Sequence, residues 1–250
     1  MSRQQHIART FVELADTLVE DFDVIDFLQQ MTVRCQELLD VTDAAVFLAH
    51  PPARLYSTAP CDPRPALRDV LEAARVEGPA LQAHRTGKPA TTDGSPAGAD
   101  ARCPEFDRQL RAAGYTRATA VPLRLRKDCL GSLLLLHTGA EPLCADDLAL
   151  AQALADAATI GLLQAHGVHE QHTVNEQLHT VLHSRIVIEQ AKGILAARRD
   201  IPLNRAFEAM RHHARHHRVL LSKVARDVID DSLTPTAPTA GPLARPADTA

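Results

Sequence analysis

The sequence predicts an α+β fold: an antiparallel sheet flanked by helices, then a long connecting helix and a C-terminal three-helix bundle. Three observations carry this. Two pairs of extended apolar runs, 44–50 with 53–59 and 116–125 with 129–138, are each joined by a short turn-forming stretch, the pattern of β-hairpins. Helix-spaced apolar residues precede, separate and follow these pairs, an order that sets helices against the face of an antiparallel sheet. Beyond residue 166 no strand signal recurs.

The elements follow in order. Within residues 7–40, Ile7, Phe11, Leu14 and Leu18 make one helical stripe, and Ile25, Leu28, Met31, Cys35 and Leu38 a second, with Asp23 placed to cap the second helix. AAVFLAH (44–50) and ARLYSTA (53–59) are strands around a Pro-Pro turn. Residues 66–76 read as helical. Residues 78–92 form a short helix running through Thr86-Gly87-Lys88-Pro89 into a brief strand, and 93–104 form a loop. Residues 106–113 are helical and end at Gly114. In the second hairpin Pro122 marks a sheet edge or bulge, and the run 133–136 is so apolar that both its faces must be covered. A long amphipathic helix spans 142–165, and Val174–Arg199 is a second long helix. Pro202 starts the next, with Ala206, Phe207, Met210 and Ala214 as its buried stripe. Ser222 is placed to cap a last helix whose inner face is Val224, Ala225, Val228 and Ile229. The organisation expected is a sensor-type domain at 1–166, a helical linker and dimer stalk at 167–182, a helical domain at 183–231 and a disordered Pro/Thr/Ala-rich tail at 232–250.

Composition narrows the function classes. The chain has 250 residues, 45% hydrophobic and 23% charged, which excludes a wholly disordered, collagen-like or disulfide-scaffold protein. Aromatic residues are 3% and Trp is absent, so the cores rest on Leu, Ala, Val and Ile. No apolar run reaches the ~18–20 residues of a membrane helix; the best stretch, 148–165, carries Gln152 and Asp156. MSRQQHIART lacks the apolar core of a signal peptide, so a cytoplasmic location away from membranes is expected. Five cysteines (Cys35, Cys61, Cys103, Cys129 and Cys144), odd in number and without a CxxC pair, read as buried reduced thiols. Charge is segregated. Residues 183–226 hold ten basic and three acidic side chains, a net of +7, against −11 for the rest of the chain. A compact basic segment on an acidic protein reads either as a site for an anionic partner or as a solvated face with none, and charge alone does not choose between them.

That segment, HSRIVIEQAKGILAARRDIPLNRAFEAMRHHARHHRVLLSKVARDVI (183–229), resembles an ANTAR domain, the RNA-binding module of transcription antitermination regulators. The likeness lies in Ser184-Arg185, Ile188, Ala191-Lys192-Gly193, Ala206-Phe207, Arg211, Ala214, Leu221 and Val224-Ala225. Residues 7–166 resemble the GAF domain that precedes it in many actinobacterial proteins, through FVELADTLVEDFDV, EGPALQAHRTGKP, VPLRLRKDCLGSLLLLHT and LALAQALADAATIGLLQ. Similar GAF domains often carry Cys where this chain has Ala80, and Trp near Cys103; the usual Asn of the last ANTAR turn is replaced by His217-Arg218-Val219. The resemblance implies a homodimer that binds paired stem-loops in nascent leader RNA and keeps a terminator hairpin from forming. A GAF-like domain can take a small-molecule or protein signal, whose identity and cofactor are unknown; alternatively it binds no small molecule and serves as a dimerisation or partner-docking platform.

The RNA-contact residues expected from the motif are Arg185, Lys192, Gly193 and Arg211, where small residues beside a cation allow close approach to phosphates and splayed bases. Arg215, Arg218 and Lys223 are added on charge and helix phase, with Arg211, Arg215 and Arg218 read as one face opposite Phe207 and Met210. Arg185 and Glu189, at i and i+4, are alternatively ion-pair partners. His212, His213, His216 and His217 form two i, i+4 pairs that could chelate a metal, but they read instead as an extension of the basic face whose charge grows toward pH ~6.5; no metal site is expected. Without GxSxG, a P-loop or a Gly-rich dinucleotide fingerprint, no enzymatic activity is expected. Leu81, His84, Arg85 and Thr91 are candidate lining residues of a sensor pocket. The rival readings are a DNA-binding or a protein-interacting regulator.

Overall fold

The computed structural model describes residues 3–16, 24–50, 54–61, 63–93, 103–125, 128–139, 141–167, 174–217, 219–231, 233 and 235. Asp23, most of the 93–104 loop, the turns at 51–53 and 126–127, and the tail from 236 lie outside them. Two compact units are present, Met1–Ile186 and Val187–Ala250.

In the first unit, α1 (Arg3–Asp16) and α2 (Val24–Leu39) lead into β1 (Asp43–His50) and β2 (Arg54–Ala59). Then come α3 (Pro65–Ala74), α4 (Pro79–Thr86), β3 (Ala90–Thr92), α5 (Pro104–Ala112), β4 (Arg117–Leu125), β5 (Asp128–His137) and α6 (Ala145–Gly167). The strands form one antiparallel sheet in the order β2-β1-β5-β4-β3. Strand alternation sorts its side chains onto two faces. Ala45, Phe47, Leu55, Ala90, Ala118, Ala120, Leu134 and Leu136 pack with Leu67, Leu81, Phe106 and Leu110 from α3, α4 and α5. The opposite face, with Val46, Val121, Leu133 and Leu135, meets α2 and α6. Residues 133–136 are all fully buried, as a strand covered on both sides requires. Of the cysteines, Cys35 and Cys61 are buried, but Cys103 and Cys129 are half-buried and Cys144 is exposed, which corrects the expectation of five buried thiols: these three stand at the entries of α5, β5 and α6, not along their inner faces.

Pro122 sits past the last β3–β4 pair, Ala90 with Ala120, on a stretch of β4 that has lost β3 as a neighbour and stands opposite Ser132 of β5. The Pro122 carbonyl accepts a hydrogen bond from Gln152 Nε2 at 3.1 Å. The turn after α5 is closed by Gly114 at φ 82°, a left-handed conformation that suits glycine. Next to it, Tyr115 is 2% exposed and donates its hydroxyl hydrogen to Asp43. Arg64 Nη2 donates to the Tyr115 oxygen at 2.7 Å and to Asp43 at 2.6 Å. This cluster ties the start of β1 to the entries of α3 and β4. The first turn of α5 is satisfied from a distance as well: Glu77 Oε1 accepts from Phe106 N–H at 2.7 Å.

Burial pushes the His137 imidazole below its ordinary range; Arg117 adds to this, and Asp40 and Asp147 oppose it. His84 shifts in the same direction, by burial and then by Arg85. A depressed folded-state histidine contributes stability that is full above the unfolded pKa of about 6.5 and is lost as pH falls through the folded value. The thermal midpoint is therefore expected to fall between neutral and mildly acidic pH, and less steeply in His137→Gln; melting curves across that range check it.

In the second part of the chain, α7 (Val174–Arg199) is followed by α8 (Leu203–His217) and α9 (Leu221–Ile229). Asp200, at φ 51°, ends α7. The N-cap of α9 is Leu220, in extended backbone, with no side-chain cap. Ser222 is thus inside the helix, a correction to the expected cap: the helix starts one residue before it. The buried side chains Ile188, Ala191, Leu195, Ala206, Phe207, Met210, Leu221, Val224, Ala225 and Val228 come from all three helices. Arg198 ties α7 to the end of α9, donating to Val228 O at 2.8 Å and pairing with Asp231 at 3.1 Å.

Candidate nucleic-acid interface

On α8, the Pro202 carbonyl accepts the first helical bond, from Ala206 N–H at 3.1 Å. Ala206, Phe207, Ala209, Met210 and Ala214 face inward. Arg215 and, on α9, Lys223 and Arg226 are exposed; Arg211 is half-buried. Arg211 lies one turn from Phe207, a rotation of only about 40°. It flanks the apolar stripe instead of standing opposite it, which corrects the expected arginine face. Arg218 lies outside the described residues. Arg198 and Arg205 are engaged within the chain, the latter with Glu208 at 2.9 Å.

Lys192 is the largest departure from expectation. It is 2% exposed. Its Nζ donates to Glu189 Oε2 at 3.0 Å and Oε1 at 3.2 Å, and sits 5.8 Å from the centroid of the Phe207 ring. A buried ammonium is not a surface cation for phosphate. The reason is periodicity: Ile188, Ala191, Lys192 and Leu195, all buried, stand at i, i+3, i+4 and i+7 along α7. Among the described residues, Glu189 pairs with Lys192 and not with Arg185. Arg185 is half-buried, and its Nη1 is shielded from solvent with no hydrogen-bond partner among the described residues. Gly193 is exposed, and a Cβ built on it meets nothing within 4 Å among the described residues.

The four histidines stack along α8. Ring centroids are 6.0 Å apart for His212–His216 and 4.2 Å for His213–His217. His213, half-buried, is held below its ordinary range by burial and then by His217 and His216, against Asp227. Among the described residues, no group of three or more His, Cys, Asp or Glu side chains is placed to hold a metal ion.

In the first unit, the proposed pocket residues do not converge. Leu81 belongs to the core, and Arg85 is exposed. Thr91 bonds Thr119 across the β3–β4 pair at 3.3 Å, whereas its neighbour Ala90 faces the Leu81 core; alternation therefore puts Thr91 on the other side of the sheet. His84 is half-buried with Nδ1 unbonded among the described residues.

A GAF domain model matches residues 23–162, more than half of the chain, and an ANTAR domain model matches residues 176–229. The chain belongs to the GAF and ANTAR domain-containing regulators. GAF domains are sensor modules and ANTAR domains are RNA-binding antitermination modules; both are regulatory domains. The first unit is similar to the GAF domain of a phosphoenolpyruvate-protein phosphotransferase from Coxiella burnetii, at 13% identity and a TM-score of 0.50 over 67% of this chain and 98% of that one. The corresponding domain from Acinetobacter matches at 13% identity and 0.48 over the same shares, 67% and 98%. The GAF-B domain of DevS from Mycobacterium smegmatis matches at 19% and 0.42 over 57% and 95%. At 13% identity the likeness to the Coxiella burnetii domain is one of fold alone. No curated relative matches the sequence. No described helix is long and apolar enough to cross a membrane.

Proposed function

We propose that this GAF–ANTAR chain is a signal-responsive antiterminator. As a homodimer, it binds paired stem-loops in nascent leader RNA and thereby prevents the terminator hairpin from forming. Acting on nascent transcripts, it works in the cytoplasm, and a small-molecule or protein signal at the GAF domain sets its activity. The observation that carries this reading is the concentration of positive charge in the ANTAR match, +7 over residues 183–226, with Arg215 and Lys223 displayed on the surface. Phosphate neutralisation by such side chains drives affinity and makes it fall with salt. Titrating the full chain with tandem-hairpin RNA and with scrambled RNA at two salt concentrations tests it. Saturable, salt-sensitive binding that favours the hairpins is expected; equal binding to both RNAs would refute the specificity.

Gly193 gives a sharper test. A helical glycine costs roughly 0.5–1 kcal/mol relative to alanine, and among the described residues nothing within 4 Å of Gly193 requires it. Close approach of RNA to α7 would require it. Gly193→Ala is expected to raise the melting temperature of the ANTAR helices while weakening hairpin binding. Calorimetry and filter binding on the same preparation separate the two effects.

A further inference from the structure

Lys192 carries the motif that marks this domain, yet it is buried. Three observations say what it does from inside. Its ammonium bonds both oxygens of Glu189, a side chain 40% exposed to solvent. Glu189 shares a ridge of α7 with Arg185 and Gly193, at i, i+4 and i+8. The ammonium also lies over Phe207, one turn from Arg211 on α8. Glu189 is therefore an acid on the very ridge that carries two of the RNA-contact candidates, and its charge is cancelled from behind.

We propose that Lys192 is a positioning and charge-neutralising residue: it pins the Glu189 carboxylate and removes its repulsion from the RNA-facing ridge, without touching RNA itself. This rests on the RNA-binding reading above. It assigns the lysine of the Ala191-Lys192-Gly193 motif to the preparation of the surface and leaves close approach to Gly193.

The charge balance makes the proposal testable. Lys192→Met keeps an unbranched side chain of similar length but leaves Glu189 ionised and unmasked. Glu189→Gln with Lys192→Met removes both charges. If Lys192 contacted RNA, the double variant would stay as weak as the single one. If Lys192 only packed the helices, the single variant's defect would not respond to salt. Hairpin binding by the full chain is measured for both variants and wild type at about 50 mM and about 250 mM salt, bracketing a large change in screening, with helicity followed by circular dichroism. Lys192→Met is expected to bind about three- to ten-fold more weakly at the lower salt, the effect of one added charge within several ångströms of phosphate. The deficit should shrink at the higher salt, and the double variant should return to within about two-fold of wild type. Glu189→Gln alone, retaining Lys192, covers the case in which Lys192→Met loses helicity: it should bind at least as tightly as wild type. Failure of the double variant to recover, a salt-independent defect, or weaker binding by a folded Glu189→Gln would overturn the proposal. Absence of hairpin binding by wild type would instead overturn the RNA-binding reading and this inference with it.

Discussion

Arg215→Glu combined with Lys223→Glu is expected to abolish hairpin RNA binding at low salt while leaving the helices folded. Both side chains are exposed, one on α8 and one on α9, and neither contributes to the buried set that holds α7, α8 and α9 together. Surface substitutions of this kind usually shift stability by only about 0.5 kcal/mol either way. Their effect on binding is different in scale. Each phosphate neutralised by a cation contributes about 0.7–0.9 to the slope of log affinity against log salt. Losing two cations and gaining two anions should cost about a hundred-fold or more at low salt and flatten that slope by about two. Filter binding over a salt series, with melting curves as the control, reads both. Unchanged binding would remove these two helices from the interface.

Gly131→Ala is expected to have the largest effect on the GAF domain. Gly131 lies in β5, opposite Leu48 of β1 and Leu123 of β4. A Cβ built on it falls 1.9 Å from the Phe47 carbonyl oxygen, 2.9 Å from its carbonyl carbon and 3.0 Å from Leu48 Cα. All three are backbone atoms, so no rotamer change relieves the clash; β1 and β5 must move apart. Phe47 and Leu134 of those strands sit at the centre of the core beneath α3 and α4 and cannot follow without opening it. Overpacking of this kind costs about 3 kcal/mol or more, equivalent to a fall of roughly 10 °C in the melting temperature of a domain this size. Thermal unfolding followed by circular dichroism measures it, and a shift of under about 2 °C would contradict the close approach of the two strands.

Local chemistry made the sheet legible. The hairpin runs, the turn glycine at 114 and the doubly apolar 133–136 segment each report on neighbours only a few residues away. The long-range ties did not show. Tyr115 and Asp43 are 72 residues apart and Glu77 and Phe106 are 29 apart, and no spacing rule joins them. At the candidate interface, two signals competed at Lys192. The motif resemblance named it as a contact, whereas the 188, 191, 192, 195 periodicity placed it inside, and burial followed the periodicity. Glu189 had two cations within helical reach, Arg185 at i−4 and Lys192 at i+3, and spacing alone does not choose between them. Closeness in sequence groups Thr91 with Leu81, whereas alternation along a three-residue strand sends it to the other face.

The most direct measurement is transcription in vitro through a terminator preceded by paired leader hairpins, with and without the full chain, alongside a template whose hairpin loops are scrambled. An antiterminator raises read-through on the first template in proportion to protein added, leaves the second unchanged, and loses the effect in the Arg215→Glu/Lys223→Glu variant. Read-through that is insensitive to the protein on both templates, under salt conditions where the protein binds the hairpins, would contradict an antitermination role.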